Sequence, residues 1–178
     1  MDDYVNVSNA PSLNPSTAIT LEAWIKRAGI INSGSHDFFI SKLITATNNN
    51  EYYLGFYVDK IQLQVSQDGS ATTLRKFDES NIGISDFDWH HVVGTFDNGI
   101  IKIYIDGAGV TDDTPHGNGT SIFSGSANLT IGSAGSSAGY YFNGLIDEVA
   151  IYNRALIATE ILDHYNNGVA GKGYCIVE

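Results

Sequence analysis

The chain has 178 residues, with 9 Lys and Arg against 20 Asp and Glu, a formal charge of −11, and one Cys. That length suits one domain able to bury roughly 70% of its unfolded surface, so no staples are needed. The acidity argues against nucleic-acid backbones and anionic lipid as partners, and the lone Cys175 excludes an internal disulfide or a Cys-based zinc site.

In chain order, most of the sequence alternates with period two, the pattern of strands with one buried face. A first short strand is expected at Tyr4-Val5-Asn6-Val7. Ile19, Leu21, Ala23 and Ile25 then alternate with Thr20, Glu22, Trp24 and Lys26. Asn32–Asp37 and Thr45–Asn50 read as polar loops. Leu54, Phe56 and Val58 alternate with Tyr53, Gly55 and Tyr57, and Asp59-Lys60 reads as the two-residue turn of a hairpin into Ile61, Leu63 and Val65. Asp68-Gly69 turns toward Thr72–Phe77. His91–Phe96 and Ile100–Ile105 form a further hairpin across Asp97-Asn98-Gly99, closed by Asp106-Gly107. Thr111–Thr120 and Ser133–Gly139 are loops flanking Leu129–Gly132, and Tyr140–Asn143 and Leu145–Tyr152 are the last strands. One helix is expected, over Ala158–Tyr165, with Asn166-Asn167-Gly168 as its stop. Many strands, tight turns and one late helix indicate an antiparallel β-sandwich or barrel. No apolar run reaches the ~20 residues of a membrane span, and Met1-Asp2-Asp3 opens no signal peptide.

Three segments, in order, resemble the laminin-G-like domains of the concanavalin A-like lectin/glucanase superfamily. They are Asp2-Asp3-Tyr4-Val5 with Ile19–Lys26, Trp89–Asp97 running into Ile103–Gly107, and Phe142–Leu156 with its Asn143-Gly144-Leu145-Ile146-Asp147-Glu148 core. The resemblance implies an all-β, two-sheet antiparallel jelly-roll sandwich with one short C-terminal helix, over residues 1–168, and a tail or linker over 169–178. The strand that usually precedes the Asp-Tyr-Val is not in this chain, so the chain is expected to be a domain of a larger secreted or surface protein. The family often has Ser where Ile157 stands, so only the Glu160 half of a capping box is retained.

Asp147 is expected on the apolar strand face with Leu145, Val149 and Ile151, where a carboxylate needs a partner or a metal. The resemblance implies a structural calcium there, with Asp3 (or Asp2) as a second ligand. The other reading of Asp147 is a carboxylate satisfied by backbone N–H groups. The glucanase branch carries a Glu-x-Asp-x-Glu run, which is missing here, and Asp147 and Glu148 should point to opposite faces; no catalytic residue is assigned. Glu22 beside Trp24 fits a buried hydrogen bond as well as catalysis. His90 and His91 should point to opposite faces, so a shared metal is disfavoured.

Ten Tyr offer flat apolar area with a polar tip, which suits sugars. Tyr52 and Tyr140, each following a polar loop, and Asp37 and Asn49 on the rim are the candidate ligand-binding residues. The resemblance implies a non-catalytic carbohydrate-binding module, monomeric as an isolated domain, that recognises a cell-surface glycan or other carbohydrate. A protein–protein adhesion or spacer module is the alternative, and a divergent hydrolase is the least favoured.

Overall fold

The computed structural model describes residues 3–29, 36–44, 49–70, 75–112, 116–135 and 141–173. Twelve strands lie in two antiparallel sheets, followed by one helix. They are β1 (Val5–Val7), β2 (Ala18–Arg27), β3 (His36–Ile44), β4 (Asn49–Tyr57), β5 (Lys60–Ser66), β6 (Arg75–Gly83), β7 (Trp89–Asp97), β8 (Ile100–Ile105), β9 (Ala108–Gly109), β10 (His116–Gly117), β11 (Leu129–Ile131) and β12 (Gly144–Tyr152). The helix, α1, spans Ala158–Val169. One sheet has the order β1-β11-β3-β4-β5-β6-β10, and the other β12-β2-β7-β8-β9. This is the expected two-sheet sandwich of the jelly-roll kind.

The sheets pack through the alternate residues anticipated from the sequence. Ile19, Leu21, Ala23 and Ile25 of β2 meet Leu54 and Phe56 of β4 and Ile61, Leu63 and Val65 of β5 in one buried core. Gly94 of β7 lets the layers approach: a Cβ there would lie 2.9 Å from Leu54 and 3.1 Å from Leu63.

Several elements differ from the sequence expectation. β3 rises out of a region expected as loop on both sides, because bulges at Phe38/Ile40 and Lys42/Leu43 break its period and nearly all of it is buried. The β4–β5 turn is centred on Val58 and Asp59, with Lys60 already paired in β5. Val58 has φ 63°, a conformation costly for a β-branched residue, and its carbonyl accepts a hydrogen bond from Arg27 at 3.1 Å. β6 runs on to Gly83 rather than ending at Phe77. Helix α1 runs through Asn166-Asn167-Gly168 to Val169, since the Ile161 and Tyr165 face continues to find partners on β2 and β7.

Candidate functional site

The outer face of the seven-stranded sheet carries a continuous track of neutral polar and aromatic side chains. Strand register places Asn6, Thr130, Ser41, Tyr53, Gln64, Phe77 and His116 side by side across all seven strands. The next row on that face is Phe38, three residues along β3 because of its bulge, with Gly55, Gln62 and Glu79, two residues along their strands; a third begins His36, Tyr57, Lys60. These side chains share a face because alternation sends Tyr52, Leu54 and Phe56 inward and Tyr53, Gly55 and Tyr57 outward.

The rows are cross-linked. The Ser41 and Thr130 hydroxyls bond at 2.8 Å. Tyr53 donates its hydroxyl to Gln62, whose Nε2 donates to Glu79 Oε1 at 2.8 Å. His36 stacks on Phe38 at 5.5 Å and 7°, and Phe77 on His116 at 4.7 Å and 7°. Phe38 meets Tyr53 edge-on at 4.8 Å. From β3 to β6 the ring pairs are three strand spacings apart, about 14 Å. Flat rings offer apolar area to the C–H face of a ring ligand, and the partly exposed Glu79 carboxylate beside them can accept hydrogen bonds from hydroxyls. Of these side chains, His36, Tyr57, Phe77, Glu79 and His116 are partly exposed, whereas Thr130, Ser41, Tyr53, Gln64, Phe38 and Gln62 are buried beneath the surface of the face.

The residues expected to bind ligand lie elsewhere. Asp37 is buried facing Arg27, and burial raises its pKa against the opposing pull of that guanidinium. Arg27 lies 4.0 Å above the Phe56 ring and donates to the Ile84 carbonyl at 2.7 Å. Tyr52 is the inward member of its pair, 1% exposed, with its hydroxyl donating to the Leu13 carbonyl at 3.0 Å. Asn49 does sit on the rim, but it is used to hold a loop: its Nδ2 donates to Ser126 Oγ at 3.0 Å and its Oδ1 accepts the Ser126 N–H at 3.2 Å. Tyr140, like Cys175 and Asp2, lies outside the described residues. The outward Tyr53 had the same loop signal as Tyr52; only the strand phase separates them.

Asp147 is not on the apolar face. A bulge between Asp147 and Ala150, with Glu148 at φ 49°, shifts the phase of β12, so Ile146, Val149 and Ile151 pack inward while Asp147 and Leu145 are exposed. Asp147 Oδ1 accepts the Glu148 N–H at 2.8 Å, and Asp3 is exposed near the free end of β1. Among the described residues no three His, Cys, Asp or Glu side chains converge as a metal site. Asp147 and Asp3 alone fall short of the six to eight oxygens calcium takes.

A cluster of one buried carboxylate and two imidazoles lies under α1, on the outer face of the five-stranded sheet. Glu22 Oε1 is 2.6 Å from His91 Nε2 and 3.0 Å from His164 Nδ1. Trp24 and Tyr165 stack beside it at 5.8 Å. The hydrogen bond anticipated for Glu22 is present, but its partners come from 69 and 142 residues away, which no local pattern announces. His90 and His91 do diverge: His90 lies between Asp86 and Asp106, each at 2.8 Å.

Comparison with known proteins places this geometry. The family description "Concanavalin A-like lectin/glucanases superfamily" matches residues 1–162. Among solved structures, domain 4 of AbnA, a GH43 extracellular arabinanase from Geobacillus stearothermophilus bound to arabinotriose, has a TM-score of 0.62 at 20% identity over 89% of this chain and 71% of that one. A heptameric SAP-like pentraxin from Limulus polyphemus gives 0.60 at 16% identity, over 89% and 79%. Botulinum neurotoxin type C, described as entering cells in dependence on two ganglioside molecules, gives 0.65 at 14% identity, over 92% of this chain and 39% of that one. At these identities the structural likeness is one of fold.

Proposed function

The chain belongs to the concanavalin A-like lectin/glucanase superfamily and has its laminin-G-like sandwich, and from that premise we propose that it is a non-catalytic carbohydrate-binding module of a larger secreted or surface protein. The observation that carries the reading is the track on the seven-stranded sheet: the partly exposed His36, Tyr57, Phe77, Glu79 and His116, seated on a registered, buried layer of amide and hydroxyl side chains and held on strands rather than on loops. A site built on strands is pre-organised, so little side-chain entropy is lost on binding. Its span suits an oligosaccharide rather than a single sugar. The arabinotriose-bound domain among the similar structures supports the ligand class, and its extracellular parent supports the compartment. No helix of the described residues is long and apolar enough to cross a membrane.

The non-catalytic part of the reading rests on the carboxylates. Glycoside hydrolysis by the usual routes needs two carboxyl groups flanking the bond, about 5–9.5 Å apart. Among the described residues, Glu79 is the one carboxylate that the strands of the track put on its outer face; Asp37 and Asp78 face inward and Glu51 is buried against Lys42 at 2.6 Å. The test is a glycan array followed by calorimetry on any hit. Phe77→Ala and Tyr57→Ala are each expected to weaken binding at least tenfold, while Asp37→Asn and Tyr52→Phe leave it within twofold. A blank array across broad glycans would replace this reading by the protein–protein adhesion module, and release of sugar from polysaccharide would replace it by a hydrolase.

A further inference from the structure

A second candidate site lies on the opposite sheet, against the C-terminal end of α1. It is a cavity of about 380 Å³, and both tryptophans of the chain line it, together with Asp147, Glu148, Gly168 and Gly173. Its size is in the range of small-ligand pockets. Trp89 is 40% exposed. Trp24 is fixed by its stack on Tyr165, and the helix reaches it only because position 168 is glycine: a Cβ there would fall 2.5 Å from the indole. The β12 bulge supplies the acidic side of the cavity. One oxygen of Asp147 takes the Glu148 N–H, and the other makes no hydrogen bond to the described residues. No Lys, Arg or His side chain of the described residues stands within ion-pair distance of Asp147 or Glu148. The cavity therefore joins two indoles to two carboxylates that no cation of the described residues pairs with.

We propose that this cavity binds an ammonium group carried on an apolar stem. The indole rings attract a cation through their quadrupole and accept the alkyl stem, and the carboxylates neutralise the charge. A neutral sugar would gain from the rings but leave both carboxylates without a counter-charge, which separates this site from the track on the other sheet. The chemistry is shared by free alkylamines and by lysine side chains.

With two Trp in the chain, the two indole N–H signals in a nitrogen–proton NMR spectrum report the site directly. n-Butylammonium is expected to move both signals saturably in the millimolar range. 1-Butanol, the uncharged analogue, should need at least tenfold more. The double variant Asp147→Asn/Glu148→Gln should weaken butylammonium at least tenfold with an unchanged melting temperature, since both side chains are exposed. Trp89→Leu, which keeps apolar area and removes the ring, should do the same. A short peptide with a central lysine binding more tightly than butylammonium would assign the cation to a protein side chain; equal or weaker binding would assign it to a free amine. The proposal is overturned if 1-butanol matches butylammonium, if the double variant binds like the parent, or if calcium chloride moves the same signals at lower concentration.

Discussion

His90 is held between two carboxylates, and its pKa rises to about 9 because Asp106 and, less strongly, Asp86 accept its ring protons while burial opposes them. A histidine raised above its unfolded value of about 6.5 stabilises the fold fully below that pH, and the contribution is lost as pH rises through 9. His90→Gln should therefore cost about 1–2 kcal/mol at pH 6, and the difference from the parent should vanish near pH 10 in urea unfolding. Asp78 acts in a lower window. Burial, with the neighbouring Asp112 carboxylate, pushes its pKa up to about 6. The unfolded carboxyl ionises first, near 3.8, so the fold loses stability as pH climbs from about 4 to 6 and regains none above it. Asp78→Asn keeps an acceptor for the Glu79 N–H, now at 2.9 Å from Oδ1, and can donate to ionised Asp112. It should add about 1–2 kcal/mol at pH 7.5 and nothing at pH 3.5. Both residues make stability fall with rising pH, in separate windows, and unfolding curves at pH 3.5, 6, 7.5 and 10 resolve them.

At the scale of elements, helix α1 shows what a single missing cap does. Ile157 stands at its N-cap with an extended backbone and no side-chain acceptor. The Glu160 half of the box is intact: Oε2 accepts the Ile157 N–H at 3.0 Å, and Arg154 holds the same carboxylate in a two-point ion pair at 2.7 and 2.8 Å. Ile157 is 63% exposed, so little burial is lost by changing it. Ile157→Ser should complete the box and add about 1 kcal/mol, a rise in melting temperature of about 2–4 °C. That half-box was legible from Ile157 and Glu160 alone, because capping is local. β3 was not legible, since its two bulges and its burial on both faces erase the period that marks a strand. The same limit moved Asp147 to the wrong face: one extra residue at Glu148 inverts every side chain before it, and sequence alternation cannot see a bulge.

For the whole molecule, the two-sheet sandwich was readable because each strand states its own inward face, whereas the track on the seven-stranded sheet depends on register between distant strands, as Asn6 and Thr130, 124 residues apart, illustrate. Tyr53 and Gln64 are each unremarkable in sequence; pairing makes them neighbours. The same nonlocal step bears on the charge of −11. Much of it sits at turns and exposed positions, where repulsion is mild and solubility gains. Two acidic residues, Asp147 and Glu148, face a cavity in which no cation of the described residues pairs with them. A structural calcium at Asp147 would tie the terminal strands together, and its binding free energy would then appear as folding stability. Melting in EGTA compared with melting in calcium at roughly 5 mM, far above the dissociation constants of ordinary calcium sites, tests it. Binding at a hundredfold excess over the dissociation constant would raise stability by about 2.7 kcal/mol, a shift of several degrees that no instrument would miss. Such a shift, abolished by Asp147→Asn, would give Asp147 a metal ligand's role and take its carboxylate away from the ammonium site. Equal melting curves leave it there.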